Sequence, residues 1–196
     1  MALCQWSWKL EKIIDIQTGA VRAQRGKGIL KSSAIGSCIA IAAYDAVENI
    51  GAMAHVMLPG TAPADKKSSE KTKYAANAID ALIGMMIDLG TKKDNIEVVI
   101  AGGANVLKKS DDTICESNIK STLEILKEKQ LHIKEQAIGG TSRRSISLDV
   151  ENGIVSYTEG NNCEMQLWRS QKTTKHPFGS TGPGKVDSAS FRPNLA

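Results

Sequence analysis

Long hydrophobic runs are missing from this sequence of 196 residues. No stretch approaches the roughly 18 consecutive apolar residues that a membrane-spanning helix requires. The opening residues, MALCQWSWKLEKII, also lack the basic start and the continuous apolar core of a secretion signal. We therefore expect a cytoplasmic protein that does not insert into a membrane.

Metal and cofactor motifs are missing as well. The four cysteines form no Cys-x-x-Cys pair, and the three histidines are equally dispersed. A structural zinc site needs about four such ligands at short spacing, and no glycine-rich phosphate-binding motif follows a strand. The sequence thus predicts free thiols in a reducing compartment, no metal and no cofactor.

Aromatic residues make up only 4% of the chain, so the sequence offers no array of stacking platforms for single-stranded nucleic acid. The net charge is +4, and the lysines are interspersed with acidic residues. A weak and dispersed positive charge does not indicate a nucleic-acid partner. We therefore expect no nucleic-acid partner.

What the sequence does contain is apolar periodicity of two kinds. GSCIAIAAYD and IGAMAHVMLP predict two buried strands that form a hairpin around the turn AVEN. YAANAIDALIGMMIDLG has apolar residues at three- and four-residue steps, which predicts a helix, and a second helix is predicted near residues 114–130. This order of elements predicts an α+β fold, in which two principal helices pack on a mainly antiparallel sheet.

One domain accounts for most of a chain of this length. We place it at residues 1–168 and expect a monomer. From residue 169 onward the sequence holds three of the five prolines and has no apolar face. Residues 169–196 are therefore predicted to be a loosely ordered or non-native C-terminal tail.

Cys38 and His55 are the candidate chemical pair. If Tyr44 pairs with Asn49 across the turn, Cys38 and His55 lie directly opposite each other on one face of the hairpin. An imidazole that takes the proton of a thiol makes a nucleophile, and such a thiol should react with iodoacetamide below pH 8.5, the ordinary pKa of cysteine being about 8.5. The alternative is a small core cysteine beside a buried histidine whose hydrogen bonds are satisfied.

The residues before Cys38 fit the first interpretation, and a simple glycine bend before a strand is the alternative. Gly36 gives the backbone freedom to approach a ligand. The amide N–H groups from Gly36 through Ser37 to Cys38 are candidates to bind the oxyanion that a cysteine hydrolase forms.

Five segments of the chain resemble a known family in their order and spacing. They are GSCIAIAAYD, GAMAHVMLP, KYAANAIDALIGMM, AGGAN and IGGTSRRS. Together they cover roughly residues 28–158, and Cys38 and His55 are 17 positions apart. On these motifs the sequence is similar to the chemoreceptor glutamine deamidase family, CheD.

The resemblance implies a fold and an activity. The family has an α/β sandwich fold, similar to that of glutamine-deamidating bacterial toxins. It hydrolyses glutamine side chains to glutamate on the cytoplasmic helical region of methyl-accepting chemotaxis receptors. Some members also cleave glutamyl methyl esters. A second implied role is binding to the chemotaxis phosphatase CheC.

The resemblance also implies the roles of individual residues. The nucleophile of the family falls on Cys38, its histidine on His55, and its catalytic threonine on Ser32, where the hydroxyl is kept. The family stretch I-G-x-R-N reads ICESN here, which retains Asn118.

The resemblance leads to expectations about the substrate site. We expect the long polar loop GTAPADKKSSEKTK, with Lys73 and Tyr74, to flank the substrate helix. An ordinary solvated connector is the alternative interpretation of this loop. Two other functions stay open: a CheC-binding module with little catalytic activity, and a redox-responsive thiol protein, for which no resolving cysteine is close to Cys38 in sequence.

Overall fold

Two five-stranded sheets and a layer of helices form the fold of this protein. The computed structural model describes residues 12–109 and 113–171. The strands are β1 (Ile13–Asp15), β2 (Val21–Arg25), β3 (Ile29–Ile35), β4 (Ile39–Asp45), β5 (Ile50–Val56), β6 (Glu97–Gly102), β7 (His132–Ile138), β8 (Arg144–Asp149), β9 (Ile154–Glu159) and β10 (Met165–Arg169). The helices are α1 (Ser68–Lys71), α2 (Ala75–Asp88) and α3 (Ile114–Glu128), and a short 3-10 helix spans Lys93–Asn95.

Each sheet is mixed. The first sheet has the order β1-β3-β8-β9-β10, and the second has the order β2-β5-β4-β6-β7. The pairs β1–β3 and β6–β7 are parallel, and the other neighbours are antiparallel. The prediction of an α+β fold with two principal helices is therefore confirmed, with two mixed sheets in place of one mainly antiparallel sheet.

Strands β4 and β5 are buried along their whole length because both faces of the second sheet are covered. Ile39, Ile41 and Ala43 face a core shared with α2 and α3. Ala40 and Tyr44 belong to a second core, which lies between the two sheets. This alternation explains why the sequence of the hairpin is apolar at nearly every position.

Helix α2 follows the predicted periodicity. Its buried residues recur at three- and four-residue steps and pack on the second sheet: Ala75, Ala78, Ile79, Leu82, Ile83 and Met86. The chain leaves the helix at Gly90, whose φ of +104° favours glycine. The amide of Thr91 then donates to the carbonyl of Met86 at 3.0 Å, which satisfies a free carbonyl at the end of the helix.

The connection between β3 and β4 determines the positions of Ser32 and Cys38 in the fold. β3 lies in the first sheet and β4 in the second, so residues 36–38 carry the chain from one sheet to the other. A bulge in β3 follows Ser32, and Ala34 within it has a φ of +57°. Ser32 and Cys38 therefore belong to different layers although only a few residues separate them.

The hairpin register differs from the prediction. Tyr44 pairs with Gly51 rather than Asn49, and Ala40 rather than Cys38 lies opposite His55. The prediction that Cys38 and His55 are directly opposed is therefore wrong by two residues. Because side chains alternate with a period of two, this shift leaves both on the same face of the sheet.

Only the first residues of the predicted C-terminal tail, residues 169–171, belong to the described part of the structure. β10 continues through Arg169, and Ser170 is buried with its hydroxyl donating to Glu97 Oε2 at 3.0 Å. Residues 172–196, most of the predicted tail, lie outside the described residues, so the tail stays a prediction. Within the described ranges, no helix is both long enough and apolar enough to cross a membrane.

Candidate active site

Ser32 and His55 meet between the two sheets. Ser32 Oγ lies 2.9 Å from His55 Nδ1, and both residues are buried. Ser32 comes from β3 in the first sheet and His55 from β5 in the second. The structure thus brings together, across the interface between the two sheets, two of the three residues to which the family resemblance assigned catalytic roles.

The hydrogen bonds around this pair determine where the imidazole carries its proton. Ser32 Oγ donates its one hydrogen to the carbonyl of Ile16 at 3.0 Å, so it accepts from His55 Nδ1. The Ile16 carbonyl is also 3.4 Å from Nδ1, which favours a proton on that nitrogen. His55 Nε2 is then left as a proton acceptor. It is buried and has no hydrogen-bond partner among the described residues.

Cys38 lies immediately before β4, on the same face of the sheet as His55. Its side chain packs against the core between the sheets and is partly exposed. Residue Ala40, two positions along, is the direct partner of His55. No hydrogen bond joins the Cys38 thiol to His55 in the described part of the chain.

Burial favours the uncharged forms of Cys38 and His55 and shifts their pKa values accordingly. It raises the pKa of the Cys38 thiol, although a hydrogen bond with its own backbone amide works in the opposite direction. Burial also lowers the pKa of His55, against upward contributions from the Ile16 carbonyl and the Asp15 carboxylate. The two groups rest as neutral thiol and neutral imidazole. The direction of this shift is opposite to the one that reaction of Cys38 with iodoacetamide below about pH 8.5 requires. The labelling itself stays a prediction.

Hydrogen bonds to its backbone carbonyl groups hold the segment of residues 36–38 in place. The Gly36 carbonyl accepts from the amide of Ala104 and the Cys38 carbonyl from that of Gly103, both at 2.8 Å. Because a trans peptide points its C=O and N–H in opposite directions, the bond at Gly36 turns the amide of Ser37 away from Ala104, and the bond at Cys38 turns the amide of Ile39 away from Gly103. The assignment of the amides from Gly36 to Cys38 as oxyanion donors stays a prediction.

Close approach of two backbones explains the glycine pair at the end of β6. Gly102 has a φ of +126°, and a side chain there would overlap the carbonyl oxygen of Cys38. Gly103 has a φ of +67°, and a side chain there would overlap Ile119. These glycines let β6 lie against the segment that carries Cys38.

We expect Gly102→Ala to lower the free energy of unfolding by about 2 kcal/mol or more, because the new Cβ is strained and overlaps the Cys38 carbonyl. Gly139→Ala is the matched control. Gly139 also has a positive φ, of +75°, but open space surrounds it, so only about 1 kcal/mol of backbone strain is expected. Urea unfolding of both variants measures the difference, and equal losses would contradict the close approach at Gly102.

Sequence reasoning assigned no structural role to Asn118, which the structure places beside the candidate site. Its Nδ2 donates to the Ser37 carbonyl at 2.8 Å and to the Met57 carbonyl at 3.0 Å. Its side chain is fully buried. The only signal in the sequence was its retention within the stretch ICESN.

A cavity of about 310 Å³ adjoins the buried imidazole. It is lined by Asp15, Ile16, Gln17, Thr18, Ser33 and His55. Cys38, Lys73 and Tyr74 do not line it. The backbone of Lys73 instead accepts from the amides of Met57 and Leu58 at 2.9 Å each, which ties the end of the polar loop to the residues after β5.

Comparison with known proteins identifies the family. The model of the family described as "CheD chemotactic sensory transduction" matches residues 57–159. A "Probable chemoreceptor glutamine deamidase CheD" of Chlorobium luteolum is 38% identical over 151 residues, which cover 77% of this chain and 75% of the relative. The chain belongs to the CheD family.

Two further relatives extend the CheD match. The "Chemoreceptor glutamine deamidase CheD" of Thermotoga maritima is 31% identical over 74% of this chain and 88% of its own length. The protein of the same name from Halalkalibacterium halodurans is 29% identical over 70% of this chain and 88% of its own length. Among solved structures, the hypothetical protein YfiH of Bacillus licheniformis aligns with a TM-score of 0.39 at 12% identity, over 65% of this chain and 60% of that chain.

The described part of this CheD-family chain contains no cluster of three or more His, Cys, Asp or Glu side chains that could hold a metal ion. Cys38, Cys115 and Cys163 form no disulfide bond within the described residues.

Proposed function

We propose that this protein hydrolyses glutamine side chains of chemotaxis receptors to glutamate, with Cys38 as the nucleophile and His55 as the base. The observation that carries the proposal is the buried Nε2 of His55, which is left as a proton acceptor by the bond to Ser32 and lies on the face that holds Cys38. The name of the relatives, chemoreceptor glutamine deamidase, supports the assignment of the substrate. Because that substrate is the cytoplasmic part of a receptor, the proposal places the protein in the cytoplasm.

Acylation begins from the neutral pair. The Cys38 thiol gives its proton to His55 Nε2 as its sulfur forms a bond to the carboxamide carbon. The amides of Ser37 and Cys38 bind the resulting oxyanion. The oxyanion then collapses, the C–N bond breaks, and the protonated Nε2 gives its proton to the departing nitrogen, which leaves as ammonia.

Deacylation uses the same groups in reverse order. Water attacks the thioester carbon while His55 Nε2 takes one of its protons. The C–S bond breaks, the proton returns to the Cys38 sulfur, and glutamate is released. Each turnover therefore consumes one water and releases one ammonia. No cofactor is needed for either half of the reaction.

Ser32 serves as the group that orients His55 in this proposal. We expect Ser32→Ala to lower kcat by about 10- to 100-fold, because Nδ1 loses its partner and the ring can rotate or change tautomer. The Ile16 carbonyl, at 3.4 Å, retains part of the orientation. Ser32→Thr keeps the hydroxyl and is expected to retain most of the activity. Steady-state kinetics on a receptor fragment compare the two, and equal activity of all three proteins would contradict the orienting role.

The function is tested by incubating the protein with the cytoplasmic fragment of a receptor from the same organism. Mass spectrometry should show a gain of about 1 Da for each glutamine that is hydrolysed. The modified positions are then identified by peptide sequencing. No gain on any such receptor contradicts deamidation and favours the alternative role as a binding module for a CheC-type phosphatase.

A methyl ester of glutamate presents the same carbonyl group with methoxide as its leaving group. The proposed thiol, base and oxyanion donors act on either substrate, so methylesterase activity is included in the proposal. It is tested on the methylated receptor fragment by the release of methanol.

A further inference from the structure

The side chain of Asn118 joins two backbone segments that flank the candidate site. It donates from Nδ2 to the carbonyl of Ser37 at 2.8 Å and to the carbonyl of Met57 at 3.0 Å. Both partners are acceptors, so only the NH₂ group can lie between them, and the orientation of the amide is fixed. Asn118 thereby connects α3 to the residue before Cys38 and to the second residue after His55.

The bond to Ser37 determines the direction of one particular peptide group. The Ser37 carbonyl and the Cys38 amide belong to the same trans peptide and point in opposite directions. With the carbonyl held by Asn118, the Cys38 amide faces the opposite side, where it bonds to its own thiol. The carbonyls of Gly36 and Cys38 are held by backbone amides, whereas the Ser37 carbonyl depends on a side chain.

We propose that Asn118 is a positioning residue that aims the Cys38 amide at the oxyanion. This inference rests on the proposed hydrolase function and adds a residue to it. Asn118 acts through the Ser37–Cys38 peptide and has no contact with substrate. Its effect belongs to the transition state, because the oxyanion exists only after the sulfur has attacked.

A purely structural role makes a different prediction, and a neighbouring residue provides the control. Ser121 also lies on α3, and its hydroxyl accepts from the amide of Gly60 at 2.8 Å. Ser121→Ala removes one bond between α3 and the segment after β5 without touching Ser37. If Asn118 only docks the helix, the variants at both positions should behave alike.

The experiment uses the full chain with two variants, Asn118→Leu and Asn118→Ala. Leucine keeps most of the side-chain volume, whereas alanine leaves space for water near the Ser37 carbonyl. We expect both to lower kcat on the receptor fragment by about 10- to 100-fold with KM nearly unchanged, since a donor misplaced by about 1 Å costs rates of that order. We expect Ser121→Ala to retain the kcat of the wild type.

The alkylation rate of Cys38 distinguishes a misdirected Cys38 amide from a general loosening of the site. Iodoacetamide reacts with Cys38 by displacement and forms no oxyanion. Because the Cys38 amide also lowers the pKa of the thiol, alkylation is compared at a pH at which the thiol is ionised in all three proteins, and its limiting rate there should be the same in the wild type and in both Asn118 variants. Wild-type kcat in the Asn118 variants overturns the inference. Parallel losses of kcat and alkylation rate also overturn it, because they indicate a loosened site.

A peptide aldehyde gives a measurement that does not need turnover. Its adduct with Cys38 carries an oxygen at the position of the oxyanion, so the Asn118 variants should bind it about 10- to 100-fold more weakly. Equal affinity, or no adduct in the wild type, overturns the inference. Failure of the wild type to convert any receptor contradicts the proposed function instead, and the aldehyde still decides the role of Asn118.

Discussion

Replacement of Cys38 by alanine is expected to lower the rate of receptor deamidation by a factor on the order of 10⁴ or more. The variant has no atom that can form the thioester, and the amides of Ser37 and Cys38 alone leave only a small residual acceleration. The fold should be unaffected, since Cys38 is partly exposed and alanine is smaller. Mass spectrometry of the receptor fragment, followed over time, measures the rate.

Cys163→Ala is the matched control for the nucleophile. Cys163 is also a free thiol, but it is exposed and lies in the loop between β9 and β10. We expect this variant to deamidate glutamine side chains at the wild-type rate. A thioester intermediate trapped on Cys38 by rapid acid quench would identify the nucleophile directly, and its appearance on another cysteine would contradict the mechanism.

Replacement of His55 by asparagine is expected to lower kcat by a factor on the order of 10³ or more. The asparagine amide reproduces the donor at Nδ1 and keeps a bond to Ser32, but it has no base at the position of Nε2. The Cys38 thiol, whose pKa burial raises, then has no group to accept its proton. His132→Asn is the control, because His132 is exposed at the start of β7. Loss of activity in both variants would contradict the assignment of the base.

The same residue controls the acid limit of activity. Burial lowers the pKa of His55, so kcat should fall on acidification with a midpoint below about 6.5, the ordinary pKa of histidine. Between the folded and unfolded pKa values the unfolded chain binds more protons. The free energy of unfolding therefore decreases as the pH falls through that window and is fully retained above it.

His55→Asn tests this linkage. The variant lacks the titrating imidazole, so its melting temperature should fall less than that of the wild type between about pH 7 and 5. Differential scanning calorimetry at several pH values measures both curves. Parallel curves would show that the imidazole is not held neutral by the fold.

The sequence predicted the elements better than their alignment. The apolar alternation of residues 39–45 and 50–56 was sufficient to predict two buried strands and the turn between them. The turn AVEN was also placed correctly, but the predicted register paired Tyr44 with Asn49, which belongs to that turn. Asp45 Oδ1 accepts from the amides of Val47 and Glu48, and Asn49 adopts a φ of +54°, so the turn comprises residues 46–49. Side-chain bonds of this kind are not visible in a pattern of apolar residues.

Contacts between the two sheets, and between a sheet and a helix, could not be predicted from local sequence patterns. Ser32 entered the site only through a family resemblance, since nothing in the spacing shows that β3 and β5 belong to different sheets that pack face to face. Asn118 is 80 positions from Cys38 in sequence, and its role depends on which carbonyls α3 happens to cover. Such pairings arise from the packing of whole elements, for which a single sequence gives no periodic signal.

Because the hydrogen bond between Ser32 and His55 joins the two sheets, catalytic activity requires the sheets to remain packed against each other. Partial unfolding that frees β3 and β8 from the second sheet would leave α2 and α3 on their own core, and helical circular dichroism would register little change. The imidazole would lose its orientation in the same event. During mild denaturation, turnover should therefore vanish earlier than the helical signal, and assays of secondary structure will overstate the fraction of working molecules.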